Sequence, residues 1–281
     1  MTFSRVNSAL YTSTFAWANV FAQRVYLTMA RATNPERMFE TYFGAKMTGD
    51  VRDFVQTRIF CFGTWEPNLS RFIENKIKPD TWSIDIGAHD GYFTLLISGL
   101  APQGHVTAIE ASPTTYRRLI SHLAINGRQN ITTINKAVAA ERGELKLFHH
   151  QGQKNTGADT LIAPNVPTPY SVVQADTLMN MIGDNAKRVS FIKMDIEGAE
   201  RPVLEEILAN LDAFADDLTV VAEVNDCNLY LVDRFLSTGF RCSELPNLYG
   251  LDAYLSKQIG YPEVWTGSRR HPTADLIFER G

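Results

Sequence analysis

One segment constrains this chain more than any other: Trp82-Ser83-Ile84-Asp85-Ile86-Gly87-Ala88-His89-Asp90-Gly91-Tyr92-Phe93-Thr94. A short apolar run ends in an acid, a turn built on Gly87 and Gly91 follows, and a helical pattern begins at once. In an open α/β sheet a ligand sits just beyond the carboxyl end of such a strand. Glycine lets the main chain approach that ligand where a Cβ would collide, and the exposed amides of the helix start can hold a carboxylate. The spacing also discriminates between ligands. A pyrophosphate wants G-x-G-x-x-G, whereas here the pattern is Gly87-x-x-x-Gly91. Asp85 would repel a diphosphate and suits a ligand that carries an ammonium group, as the methionyl part of S-adenosylmethionine does.

What surrounds the segment fits one architecture. Strand patterns at 81–86, 105–109, 131–135, 190–195, 218–223, 240–244 and 274–279 alternate with helical patterns at 92–100, 114–125, 200–211 and 228–237. Such alternation predicts a Rossmann-like α/β fold, a mostly parallel seven-stranded sheet covered by helices on both faces. Between Leu145 and Leu178 the pattern is polar and turn-rich, which reads as an inserted hairpin or flap. Residues 1–64 read as an N-terminal helical and mixed extension, and 65–281 as the ligand-binding domain, entered through a helix at 66–77. Trp17, Phe21, Val25 and Met29 form an i to i+4 ladder, expected to be an amphipathic helix packed on the protein or on a partner subunit. No run approaches the roughly 18 consecutive apolar residues of a membrane span, and no leader cleavage pattern follows, so a cytoplasmic protein is expected.

Bulk properties remove other classes. With 44% hydrophobic and 21% charged residues the chain should fold. A formal charge of −4 gives no reason to expect nucleic acid as a partner, since phosphate backbones are bound by clustered Lys and Arg. Cys61, Cys227 and Cys242 contain no C-x-x-C pair and read as reduced packing thiols rather than a disulfide framework or zinc site.

Two groups of acids carry the candidate chemistry. Glu110 ends the second strand, where a carboxylate can accept from two ribose hydroxyls. Asp85 and Glu110 could each merely cap a helix, but at matching ends of adjacent strands they bracket a nucleoside. The second group is Phe191-Ile192-Lys193-Met194-Asp195-Ile196-Glu197-Gly198-Ala199-Glu200. Side chains alternate along a strand, so Lys193, Asp195 and Glu197 share a side and are costly to bury unless paired. Two readings stay open: an ion pair of Lys193 with one carboxylate plus helix capping by the other, or a carboxylate reaching the cleft. Asp195, Glu197 and Glu223 are the catalytic candidates, and each would need a pKa raised by burial to deprotonate an alcohol. No His clusters with these acids, so no metal site is expected. Trp65 and Glu66 wall the ligand or anchor the core, and His149-His150 in the flap supply a base or are simply solvated. The connection from Leu245 to Pro272 holds Tyr249, Tyr254, Tyr261, Trp265, Arg269, Arg270 and His271, which suits an acceptor pocket or a subunit interface.

From about Trp65 to Glu279 the chain resembles the FkbM-family methyltransferases, which act on hydroxyls of sugars and natural products. The likeness rests on Gly63-Thr64-Trp65-Glu66-Pro67, the Asp85 to Thr94 turn, Ala108-Ile109-Glu110-Ala111-Ser112-Pro113, the stretch Asn130 to Ala139, and Lys193 to Glu200. The resemblance implies a class I methyltransferase fold and S-adenosylmethionine as cofactor. It implies that Asp85, Gly87, Gly91 and Glu110 line the cofactor site, with Glu66, Ala88 and Ala111 joining them. Lys193, Asp195, Glu197 and Glu200 would form the signature strand and helix start. The chain departs from the family at His89 and Asp90, where Asn and Ile are common, and at Met179, where Thr-Leu-Asp is usual; Asp176 lies out of register. The expected activity is O-methylation of a sugar, glycoside or natural product. Its partner would be a small-molecule or carbohydrate acceptor, with a homo-oligomer left open. A nicotinamide-dependent oxidoreductase is opposed by the glycine spacing, and a non-catalytic cofactor-binding or scaffold protein by the acids that remain in place.

Overall fold

The computed structural model describes residues 27–29, 32–150, 159–247, 249, 254, 260–271 and 274–280. Its central sheet contains β3 (Trp82–Ile86), β4 (His105–Ile109), β5 (Ile131–Ile134), β9 (Val189–Met194), β10 (Thr219–Glu223), β11 (Phe240–Pro246), β12 (Glu263–Val264) and β13 (Ala274–Arg280). They lie in the order β12-β11-β13-β10-β9-β3-β4-β5. Strands β5, β4, β3, β9 and β10 run parallel, and β13 is antiparallel to both β10 and β11. All seven expected strands are present. The eighth, β12, folds back onto β11 from the connection read as one long loop. Strand β11 also outruns its expected end, because β13 pairs with it as far as Pro246.

Alternation along the strands sorts the core. Ile84, Ile86, Ile192 and Met194 join the cluster beneath α5 (Leu178–Ile182), α6 (Glu200–Ala209) and α7 (Tyr230–Ser237). Phe191 and Val221 point the other way, to α1 (Phe54–Phe62), α2 (Pro67–Lys76), α3 (Tyr92–Leu100) and α4 (Pro113–Asn126). Helix α4 shows how local sequence fixes an element. The Ser112 hydroxyl accepts from the Thr115 amide, Pro113 occupies the first turn, and Gly127 closes the helix with a left-handed φ of 61°.

Two regions hold more than the sequence pattern specifies. The described part of the helical and mixed extension opens with a hairpin of β1 (Glu36–Glu40) and β2 (Lys46–Asp50), followed by α1. The hairpin is tied down by α4: the amides of Lys46 and Thr48 donate to Asn126 Oδ1 and His122 Nε2. Of the expected N-terminal helix, Trp17, Phe21 and Val25 lie outside the described residues, and Met29 is exposed. The flap is more than a hairpin. It is a three-stranded sheet in which β8 (Tyr170–Asp176) lies between β6 (Ala137–Val138) and β7 (Gly143–Phe148). Among the described residues no helix is long and apolar enough to cross a membrane.

Candidate functional site

A cavity of about 360 Å³ opens at the carboxyl ends of β3, β4, β9 and β10, and the segments singled out in the sequence converge on it. Gly87 (φ 75°) adopts a left-handed conformation, and a Cβ there would overlap the Asp195 carbonyl. Glycine is therefore required where the first turn meets the last residues of β9. The amides of Gly87 and Ala88 both donate to the Ile109 carbonyl, at 2.9 and 3.0 Å, which fixes the turn against β4.

Glu110 stands on the cavity wall with each oxygen oriented by main chain. Oε2 accepts from the His89 amide at 2.8 Å and Oε1 from the Ser112 amide at 2.7 Å. Each oxygen keeps a second lone pair, so the group can still accept from a vicinal diol. Burial raises its pKa against the opposing pull of His89 and the two amides. Asp85 and Gly91 lie behind the wall instead of lining it. Asp85 is fully buried; its Oδ2 accepts from the Thr94 hydroxyl at 2.6 Å, and its Oδ1 faces Lys193 Nζ at 3.6 Å. Gly91 packs against Leu119, whose Cδ1 would lie 2.6 Å from an added Cβ. The expected direct contact of Asp85 with a ligand ammonium is thus replaced by a buried ion pair. His89 and Asp90, the departures from the family pattern, do line the cavity. Burial disfavours a charged His89 ring, but Asp90, Glu110 and Asp53 outweigh it and raise its pKa to about 9.

The opposite wall gathers carboxylates around one lysine. Lys193 Nζ lies 3.6 Å from Asp85 and 3.8 Å from Asp195, and it donates to the Gly87 carbonyl at 3.3 Å. These neighbours overcome the burial that would otherwise discharge it. Glu200 accepts from the amides of Ile196 and Gly198 at 3.3 and 3.0 Å and caps the turn into α6. Lys193 thus pairs with Asp195, but the capping falls to Glu200 and not to Glu197, which has neither duty.

Glu197 stands on the cavity wall with Asp195 and Glu223. Its surface is open at the mouth, but surrounding protein together with Asp195, Glu223 and Glu200 raises its pKa to about 8. Glu223 is raised by burial and Asp195, against Arg269. Glu66 (φ 42°) receives the Tyr249 hydroxyl at 2.6 Å, and burial with Asp275 and Asp195 holds it well above the usual range. Tyr249 in turn stacks on Trp65 with ring centroids 5.4 Å apart.

Sequence reasoning missed Asp275. It faces Glu223 across the β10–β13 register, its Oδ2 accepts from Asn247 at 2.8 Å, and burial is the main reason its pKa rises to about 7. The available signal was a single acid at the head of the apolar run Leu276-Ile277-Phe278. Lys136, also missed, lines the far end beside Ala111 and pairs with Asp176 at 2.9 Å.

The remaining candidates separate. His149 and His150 do not line the cavity, but Asp159, which binds both, does. Of the segment 245–272, Tyr249 reaches the cavity, while Arg269 and Arg270 line an adjoining groove of about 400 Å³ with Glu223, Asn225 and Asp226. Tyr254 is buried against Phe62, and Tyr261 is exposed.

These residues suit a nucleoside bearing a charged amino-acid tail. Glu110 offers a diol acceptor, the Gly87–Ala88 turn brings bare backbone to the wall, and charges of both signs stand beyond it. The family comparison agrees. The family model described as the methyltransferase FkbM domain matches residues 85–227. The chain is similar to Methyltransferase 1 of Beauveria bassiana (strain ARSEF 2860), with 27% identity over 44% of this chain and 57% of that protein. The match thus spans little more than half of that relative's length. Similar solved structures include TYW2 of M. jannaschii in complex with AdoMet, at 14% identity, TM-score 0.46, and coverage of 88% of this chain and 87% of that one. Another is the precorrin-6y C5,15-methyltransferase of Geobacter metallireducens GS-15, at 15% identity, TM-score 0.42, and coverage of 76% and 88%.

Proposed function

The chain belongs to the FkbM methyltransferase family, its residues 85–227 forming an S-adenosylmethionine-dependent methyltransferase domain, and we propose that the protein methylates a hydroxyl of a sugar, glycoside or natural product. Glu197 carries this reading. An alcohol is a poor nucleophile until its proton leaves, and an ordinary carboxylate is a weak base for it. A carboxylate whose pKa is lifted to about 8 is matched to the task near neutral pH, and this one stands on the cavity wall.

Bound S-adenosylmethionine supplies an electrophilic methyl group. Glu110 would hold its ribose hydroxyls, and Gly87, Ala88 and Ala111, which line the cavity, would bring backbone close to the nucleoside. Phe54, Val55, Leu147 and Leu161 keep competing water away from it. Asp85 supports the site from behind, through Lys193. Glu197 takes the acceptor proton, while burial, then Asp195 and Glu223, keep its carboxylate basic. The acceptor enters over Glu223 from the groove of Asn225, Asp226, Arg269 and Arg270, so the segment 245–272 selects it. The carboxylates, amide and guanidinium groups that line this groove beside Val224 can hydrogen-bond a hydroxylated small molecule or carbohydrate. In this reading 65–281 is the catalytic domain, and 1–64 an extension that lends Phe54 and Val55 to its cavity.

The test is a screen of hydroxylated acceptors with methyl-labelled cofactor, run on the wild type and on Glu197→Gln. The variant should lose roughly 100-fold or more in kcat while its affinity for S-adenosylhomocysteine stays within about threefold. Undiminished turnover would remove Glu197 as the base. Transfer only to nitrogen or carbon acceptors would overturn the assignment to hydroxyls.

A further inference from the structure

Glu197 occupies the left-handed region (φ 52°), where its Cβ is disfavoured. A non-glycine residue stays there only when its surroundings over-determine it. Two supports belong to the site already described: the Gly87 turn beneath Asp195, and the Glu200 carboxylate that binds the amides on either side. The third comes from the inserted sheet. The Thr160 hydroxyl donates to the Glu197 carbonyl at 2.8 Å, and Ile162 covers Gly198 so closely that an added Cβ would lie 2.7 Å from its Cδ1.

Thr160 is itself held on both sides. Its amide donates to the Phe148 carbonyl at 3.0 Å, and the Phe148 amide donates back at 2.8 Å. The preceding Asp159 binds His149 Nδ1 at 2.9 Å and accepts from the His150 amide at 3.1 Å. His149 Nε2 meets the Ser171 hydroxyl at 2.7 Å. Hydrogen bonds thus run through Ser171, His149 and Asp159 to the Thr160 segment, and from Thr160 onto the main chain of Glu197. The arrangement resembles a Ser–His–Asp triad in its contacts, but Ser171 lies within the middle strand of the small sheet and its partners lead to the Thr160 latch.

We propose that Thr160 is a positioning residue for Glu197: its hydroxyl, seated by the Ser171–His149–Asp159 relay, holds the turn in the conformation that presents the Glu197 carboxyl to the acceptor. The inserted sheet then governs proton removal as well as walling the cavity. This rests on the reading of Glu197 as the base. The charges that face its carboxyl are Asp195 from the end of β9, Glu223 from β10, Glu200 from α6 and, with opposite sign, Lys193. If the latch is lost the turn relaxes, the carboxyl leaves this crowd of acids, and its titration falls toward the ordinary range.

The test is a carbon-13 NMR titration of protein labelled at the glutamate carboxyls and saturated with S-adenosylhomocysteine. Glu197→Gln identifies the resonance by its disappearance. In the wild type that resonance should titrate near 8. Thr160→Val should lower the midpoint by about one pH unit or more, Thr160→Ser should restore it, and S-adenosylhomocysteine affinity should stay within about threefold throughout. With an acceptor from the screen, Thr160→Val should reduce kcat roughly tenfold without changing the cofactor KM. An unchanged midpoint in folded Thr160→Val overturns the proposal. If that variant fails to fold, His149→Gln, which leaves the hydroxyl in place and loosens its seat, must show a smaller shift of the same sign, and no shift overturns it equally. If Glu197→Gln removes no resonance of raised midpoint, the base assignment falls on its own account.

Discussion

Two walls of one cavity are built in opposite ways. The wall proposed for the nucleoside, Gly87–Ala88 and Glu110, is made from the ends of adjacent parallel strands, and main-chain hydrogen bonds hold each part. The carboxylate wall draws Glu66, Glu197, Glu223 and, behind it, Asp275 from distant parts of the chain, and burial, with the neighbouring acids added, raises all four. The first wall is fixed in shape, as the proposed binding of a constant ligand requires. The second stores protonation states that the first does not need. Lys193 is the seam, because it pairs with Asp85 behind one wall and Asp195 on the other.

The largest effect should come from cutting that seam. Lys193→Met leaves Asp85 buried without a counter-charge, and breaking a buried pair from one side costs about 3–5 kcal/mol. Urea unfolding should register that loss together with loss of S-adenosylhomocysteine binding. A stable variant that still binds the ligand would mean that the walls are independent.

Next in size is Glu110→Ala. It removes charge-assisted hydrogen bonds worth about 1.5–3 kcal/mol, so S-adenosylhomocysteine affinity measured by calorimetry should fall roughly 10- to 100-fold. Turnover at saturating cofactor should change little, the reverse of Glu197→Gln. If both variants lose kcat and affinity together, the division of labour between the walls does not hold.

The smallest effect concerns pH and stability. Glu200 and Asp275 each titrate at about 7 in the folded protein, against ordinary values of 4.5 and 3.8. A carboxyl raised on folding contributes fully below its unfolded pKa, and the contribution is lost as pH rises through the folded value. The ligand-free protein should therefore lose a few degrees of Tm between about pH 4 and 7. Asp275→Asn should flatten part of that slope in thermal melts. A Tm that climbs through this range in the wild type would show that the crowded wall is not protonated as described.

How far the sequence reached differs between the walls. The alternation from Trp82 to Arg280 was legible because strand and helix periods are local, and so was the close contact at Gly87, since only glycine tolerates that turn. The hairpin at 36–50 was not, because its short strands are stabilised by α4 across the chain rather than by their own pattern. Asp85 illustrates the limit within a correctly read motif. Its position at a strand end was plain, but whether it faced a ligand or Lys193 depended on a lysine in another strand.

By itself, then, the sequence determined the Rossmann-like sheet, the glycine turn and the acid ending β4, all consequences of backbone geometry and spacing within tens of residues. Only the tertiary structure decided that Asp275 stands behind Glu223, that Tyr249 closes on Glu66, and that Thr160 rests on the Glu197 turn. Those pairings join residues far apart in the chain, and a carboxyl's pKa depends on which other charges the fold brings within a few ångströms of it, information that no local pattern carries.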